Sequence, residues 1–386
     1  MMMKPSLIAV MLAALLATGC STISSGLDAI NPFSSKAKIS PLPTLTVASE
    51  TRLQWDIDVG KSGTYTFAPA IVGKSIYAAG TKGYIQKIED GKRVWRIETN
   101  EVLSAGVGAS DDMLVVGTPK GDVLAFSTEN GKPLWRAKVS SEVLAAPVVG
   151  SEGVAVRSGD NSIYLFDLKD GARKWVYQRS IPSLAVRSTA SPVFADRYLF
   201  AGFPGGKLLA LSLQNGAPVW EGVVALPKGA TELDRVADVV AAPVVDGTQV
   251  CAVAFQGRVA CFDMSQAGAT LWTRDISSAN GLAMDSRYVF VTDDQGIVYG
   301  LDRLTGGSLW KQDKLKRRRV TAPVVRLGMV AVGDVEGYVH FLSREEGHFV
   351  AQRKTDGSPL NAAPQFFAGA FLVQTSGGEL SAIEVK

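Results

Sequence analysis

Few side chains in this sequence can do chemistry, and their spacing narrows what that chemistry is. Only two histidines occur in 386 residues, His340 and His348. With no partner cluster around them, they argue against a multi-histidine metal site and against a Ser-His-acid triad, and neither reads as a ligand. Three cysteines are present: Cys20, Cys251 and Cys261. Cys251 and Cys261 sit on adjacent predicted strands, nearly symmetric about a turn at Gln256-Gly257. An oxidising compartment would allow a cross-strand disulfide there, and two buried thiols are the equal alternative. Gly202-Phe203-Pro204-Gly205-Gly206-Lys207 has the glycines and lysine of a phosphate loop. It is one residue short, Leu208 stands where a hydroxyl is required, and no helix follows, so it reads as a hairpin turn. The basic run Lys316-Arg317-Arg318-Arg319 reads as a solvated loop, with contact to anionic lipid or an acidic partner as the alternative.

The first twenty residues form an address. Lys4 supplies a positive start and Leu7 to Leu16 a short apolar run, too short to span a bilayer. Ala17-Thr18-Gly19-Cys20 then resembles a bacterial lipobox, in which the cysteine becomes the lipid-modified first residue; Ala17 stands where a leucine is usual. The expectation is a signal peptide over 1–19, lipidation at Cys20, and a tether over 20–50. Residues 21–50 are rich in Ser, Pro, Thr and Ala without periodicity, and a flexible chain of that length spans roughly 30 Å. Ser21, where an aspartate would signal inner-membrane retention, implies transfer to the outer membrane with the folded part facing the periplasm. The remaining composition is that of a globular chain: 46% hydrophobic, 20% charged. A formal charge of +3 argues against nucleic-acid binding driven by bulk electrostatics.

The elements that must position any site follow from one repeat. All seven tryptophans fall on a single series: Trp55, Trp95, Trp135, Trp175, Trp220, Trp272 and Trp310, the first four spaced by 40 residues. Ahead of them recurs an Ala-Pro or Ser-Pro opening, at Pro69, Pro147, Pro192, Pro243, Pro323 and Pro364, with degenerate versions near Ala105-Gly106 and Gly281-Leu282. Asp90-Gly91, Asn130-Gly131, Asp170-Gly171, Asn215-Gly216 and Thr305-Gly306 precede the last segment of a unit, and such pairs favour the positive φ of tight hairpins. Apolar or alternating runs of four to six residues between turns have strand length. Each unit is therefore four antiparallel strands, and one such sheet cannot bury both its faces alone. Stacking the sheets around an axis solves this, which predicts an all-β, eight-bladed β-propeller over 51–386. The last opening is followed by only three strands, so Thr51 to Asp58 is expected to supply the outermost strand of the final blade and close the ring. Val350 stands where blade seven should carry tryptophan. The indoles are expected to pack between neighbouring blades as architecture.

This repeat, with its Ala-Pro-Val-Val openings, glycine turns and closing Leu-Trp, resembles the quinoprotein alcohol dehydrogenase-like propellers over essentially the whole chain. Some of these hold pyrroloquinoline quinone and calcium; others are non-enzymatic lipoprotein scaffolds of the β-barrel assembly machinery. The lipobox, tether and eight units resemble the second group. No two cysteines are vicinal and no carboxylate cluster for calcium is evident, so no catalytic residue, cofactor or metal is assigned. The resemblance implies docking to BamA, the barrel-forming core component with periplasmic domains, with unfolded outer membrane proteins as a further contact. A quinone-dependent dehydrogenase, or a periplasmic propeller binding peptide or polysaccharide, are the other readings.

Two connections are long: Trp175 to Pro192 spans 17 residues and Trp220 to Pro243 spans 23. Loops on a rigid scaffold carry function. An arginine beside apolar residues in the first, and carboxylates in the second, suit an apolar contact with a charged rim. By the resemblance, Leu184, Val186, Arg187 and Asp238 are the partner-binding positions; Val186 and Val240 depart from the pattern, which has leucine and often aspartate there.

Overall fold

Short apolar segments punctuated by Gly, Asn and Asp can satisfy their backbone only by pairing, and here they pair in eight sheets. The structure is a computed structural model describing residues 39–45, 49–180 and 182–386. The expected signal peptide, Cys20 and most of the tether lie outside the described residues. Blade three is representative: Val148–Gly150, Gly153–Arg157, Ile163–Phe166 and Arg173–Tyr177 pair in that order, each antiparallel to the next. One 3-10 turn, Met264–Gln266, is the only helical element among the described residues.

The ring closes as the repeat count requires. Thr51–Asp58 pairs antiparallel with Glu379–Val385, from Thr51 opposite Val385 to Asp58 opposite Glu379. Pairing the first and last of these strands removes the free edge that an unclosed eighth sheet would present. The chain is fastened before that strand begins. The Ser49 N–H donates to the Val350 carbonyl (2.8 Å), and Gln352 Nε2 donates to the carbonyl of buried Pro43 (3.1 Å). Pro43 and Ser49, assigned to the tether, thus lie against blade seven. A further strand was not foreseen: Thr66–Phe67 adds in parallel to the inner edge of blade two, beside Ala105 and Gly106.

The core is a set of interblade layers, because each sheet buries its faces on its two neighbours. Val115, Val123 and Ala125 of blade two pack on Val154, Tyr164 and Phe166 of blade three. The same arrangement recurs around the ring. Each tryptophan lies on an outer strand and reaches the next blade. Trp135 Nε1 donates to the Leu168 carbonyl (2.9 Å), Trp175 to Leu213 (2.9 Å), Trp272 to Arg303 (2.8 Å) and Trp310 to Arg344 (2.8 Å). The turn glycines meet two demands here. Gly171 and Gly216 have φ of +71° and +72°, and a Cβ on Gly171 would lie 2.6 Å from the Trp135 ring. The indole lies over the turn of the next blade, so the turn needs both the left-handed conformation and an absent side chain.

Blade seven corrects the sequence reading by one residue. Each outer strand carries a bulge just before its tryptophan: Gly300 pairs with Trp310 but Leu301 with Ser308. In blade seven Phe341 pairs with Ala351 and Leu342 with Phe349, so Ala351, not Val350, occupies the tryptophan position. The reason is topological. In blade eight the third and outer strands are not consecutive in the chain, so no glycine turn exists for an indole to cover. Phe341, Phe366 and Phe371 pack that interface instead, with ring centroids 5.1 and 5.2 Å apart.

Candidate functional site

Antiparallel blades place every connection from an outer strand to the next blade on one face of the ring, together with the turns between second and third strands. On that face, three successive connections, after blades two, three and four, are stitched into one surface.

Asp238 is the centre of the stitching. It is 1% exposed. Its Oδ2 accepts from the Val186 N–H (2.7 Å) and its Oδ1 from the Gly205 N–H (2.9 Å). Its own backbone exchanges hydrogen bonds with Phe255, Asp238 N–H to Phe255 carbonyl at 3.2 Å and the reverse at 2.8 Å. One carboxylate therefore ties together the two long connections and the turn of blade four. The Ser188 hydroxyl adds a bond to the Val240 carbonyl (3.3 Å), and the Ser183 hydroxyl one to Glu232 (3.3 Å). Gly202 permits the approach, since a Cβ there would sit 2.3 Å from Val239. Asp238 was read as part of a charged rim. The structure places it underneath, because residues 236–240 turn inward to cover the interblade core.

Leu184 and Arg187 stand at the surface, Leu184 at 47% exposure, while Val186 is half-buried. Leu226 and Leu233 on the neighbouring connection are also exposed, at 59% and 67%. Burying such aliphatic surface is favourable by roughly 25 cal/mol per Å², so leaving it in water is a cost that a partner can remove. Arg187 is ion-paired through Nη2 to Glu142 Oε1, on the connection after blade two. Glu142 is held in turn by the Ser141 hydroxyl on Oε2 (2.6 Å), and its carbonyl accepts from the Gly159 N–H (2.7 Å). The Ser141 bond, a backbone N–H and the nearby guanidinium hold the Glu142 carboxyl below the usual carboxylate range despite partial burial. Sequence reasoning missed Glu142, because its connection has ordinary length and nothing local marks it.

Blades three and four are also clasped by the exposed Glu221, which takes Lys207 (2.8 Å) and Arg179 (3.2 Å). Arg157 lies buried between the same blades, donating to the carbonyl of Gly202 (2.5 Å) and to Asn161 Oδ1 (3.2 Å). Burial pushes its guanidinium down to about 10.

The remaining sequence motifs resolve as follows. Gly202-Phe203-Pro204-Gly205-Gly206-Lys207 is a strand end, a hairpin turn and the next strand's start. The basic run is not simply solvated. Arg318 is 1% exposed and pairs with Asp334 (2.7 Å) and Glu336 (2.5 Å), while Lys316 pairs with Asp313 (3.1 Å). Folding the connection back onto blade seven brings a cation to two carboxylates sixteen and eighteen residues away. His340, read as lacking partners, is fully buried with Nε2 2.8 Å from Asp334 Oδ2. His348 is exposed, 3.2 Å from Glu346. Cys251 and Cys261 are directly opposite on paired strands and joined as a disulfide, their Cα atoms 4.1 Å apart. Intact-mass measurement of unfolded protein is expected to show a gain of two hydrogens on reduction; equal masses would disprove the bond.

Among the described residues, no three His, Cys, Asp or Glu side chains converge as a metal site. Cys251 and Cys261 are paired across strands and are not vicinal, so among the described residues neither a vicinal cysteine pair nor a carboxylate cluster for calcium is found.

Comparison with known proteins bears on the family and the fold. The family described as outer membrane protein assembly factor BamB matches residues 81–312 and 294–386. A BamB from Bordetella pertussis is 42% identical over 96% of this chain and 95% of its own length. One from Escherichia coli is 31% identical over 99% and 100%. A crystal structure of BamB from Moraxella catarrhalis superposes with a TM-score of 0.80 at 27% identity, covering 87% of this chain and all of that one. A quinohemoprotein alcohol dehydrogenase from Comamonas testosteroni shares the fold, with a TM-score of 0.71 at 12% identity over 87% and 76%.

Proposed function

Since this chain belongs to the BamB family of outer membrane protein assembly factors, we propose that it is a non-enzymatic scaffold that docks a BamA-like barrel protein through the three-connection surface. Leu184, Val186 and Arg187 make the contact, and Asp238 holds them from beneath. The protein is carried at the outer membrane by lipid on Cys20, reached through a tether, and faces the periplasm. Its contribution is positional: a closed ring keeps the core machinery beside the membrane, where incoming unfolded barrel proteins arrive.

The observation that carries this reading is the stitching itself. Three connections from successive blades are held by a buried carboxylate and an ion pair while leaving leucines in water. A rigid surface with exposed aliphatic anchors and a charged rim loses little entropy on binding. No chemical step is assigned to it.

The test is co-purification. Leu184→Ala combined with Arg187→Ala is expected to abolish recovery of the BamA-like protein from detergent-solubilised outer membranes. Thermal unfolding should be nearly unchanged, because both side chains are exposed. Recovery equal to wild type would reject this docking surface.

A further inference from the structure

Resting on that docking reading, we infer that Arg187 receives a neutral hydrogen-bond acceptor from the partner, such as a main-chain carbonyl or an amide or hydroxyl oxygen, and not a carboxylate, with Glu142 as the residue that sets this preference. The argument is one of charge balance on desolvation. Arg187 keeps its side chain 74% exposed while Glu142 is 22% exposed. The guanidinium has five N–H groups in a rigid fork, and Glu142 engages it at Nη2, leaving donors for the partner. When docking removes water, the pair is already neutral. A neutral acceptor completes the fork without adding charge. A partner carboxylate would place two anions on one cation, leaving a net negative charge in a water-poor interface, at a cost its hydrogen bonds do not recover.

The surroundings push the same way. Glu142 cannot easily swing aside, because the Ser141 hydroxyl and the tight packing of Gly159 against its carboxylate hold it; a Cβ on Gly159 would come within 2.6 Å of that carboxylate. Asp160, on the neighbouring turn, is bonded to the Ser140 hydroxyl of the same connection and adds a second negative group nearby.

The sign of one substitution separates the two partner chemistries. Glu142→Gln keeps shape and an acceptor for Arg187 but removes the charge. The affinity of the full-length protein for the purified BamA-like protein in detergent is measured for wild type, Glu142→Gln and Arg187→Ala, at low and high salt. With a neutral acceptor, Glu142→Gln leaves an uncompensated cation in the interface. Binding should weaken about fivefold to thirtyfold, since one uncompensated polar group costs roughly 1–2 kcal/mol. If Arg187 meets a carboxylate, the same change frees the guanidinium; binding then tightens and its salt dependence steepens. Tightening would overturn the inference, and so would an unchanged affinity for Glu142→Gln while Arg187→Ala binds weakly. If Leu184→Ala with Arg187→Ala also binds like wild type, the docking surface itself is rejected, a result distinguishable from failure of the inference alone.

Discussion

Asp334→Ala is expected to lower stability by about 3–5 kcal/mol, the cost typical of removing one member of a buried ion pair. Asp334 is fully buried and every lone-pair direction is used. Oδ1 accepts the N–H groups of Glu336 and Tyr338, both at 2.9 Å, while Oδ2 accepts from Arg318 Nε (2.7 Å) and faces His340 Nε2 (2.8 Å). Removing the carboxylate takes a charge partner from a guanidinium that is 1% exposed, and strips two main-chain donors of their acceptor. The effect spreads because the connection after blade six depends on this contact, with the Val335 N–H donating to the Arg318 carbonyl at 3.0 Å. Denaturant midpoints at constant m-value measure the loss. A shift below 1 kcal/mol would show that the cluster contributes little.

The same cluster sets a pH dependence. Burial lowers the His340 pKa from 6.5, although Asp334 pulls it upward. Burial raises Asp334, but the bonds from His340, the Tyr338 N–H and Arg318 outweigh it and leave that carboxyl below 3.8. Both groups bind protons less readily when folded than when unfolded. Their stabilisation is present at high pH and lost as pH falls, starting near 6.5 for the imidazole and below 3.8 for the carboxyl. In His340→Gln the earlier phase of the loss should vanish while the later one persists. Persistence of the earlier phase would place it in another group.

Asp238→Ala is the second large effect, and it separates support from contact. The substitution leaves the Val186 and Gly205 N–H groups without their acceptor, at about 1–3 kcal/mol each, and releases the connection after blade three from the one after blade four. Amide exchange at Val186 and Gly205 should accelerate by at least about tenfold, given that 1.4 kcal/mol corresponds to a factor of ten. Recovery of the BamA-like protein should drop to background. Asp238→Asn, which keeps one acceptor oxygen, should fall between alanine and wild type in both measurements. If docking were lost while exchange at Val186 and Gly205 stayed at wild-type rates, Asp238 would be touching the partner and not holding the surface.

These cases mark where local pattern stops informing. Blade number, the four-strand blade and closure by Thr51–Asp58 were legible because most units solve the same problem with the same residues: an indole four positions after a turn glycine, an opening proline, and four short apolar segments. The misplaced position in blade seven was within reach of that pattern. The bulge recurs from blade to blade, and Gly347, four residues before Ala351, marks Ala351 and not Val350 as the equivalent of the tryptophans.

The order of the chain was enough to specify a closed ring of stacked sheets, because strand period, turn chemistry and indole spacing are short-range and repeat around the axis. It also pointed to the long connections flanking blade four. Which of their residues face water was settled only by folding. The partners of Val186 and Arg187 lie 52 and 45 residues away, and those of Arg318 are on another blade's turn. Contacts between connections depend on where adjacent blades bring their ends together, and a one-dimensional pattern does not contain that distance. A carboxylate such as Asp238 therefore reads as a surface charge in sequence and acts as a buried tie in three dimensions, because only packing determines which donors it can reach.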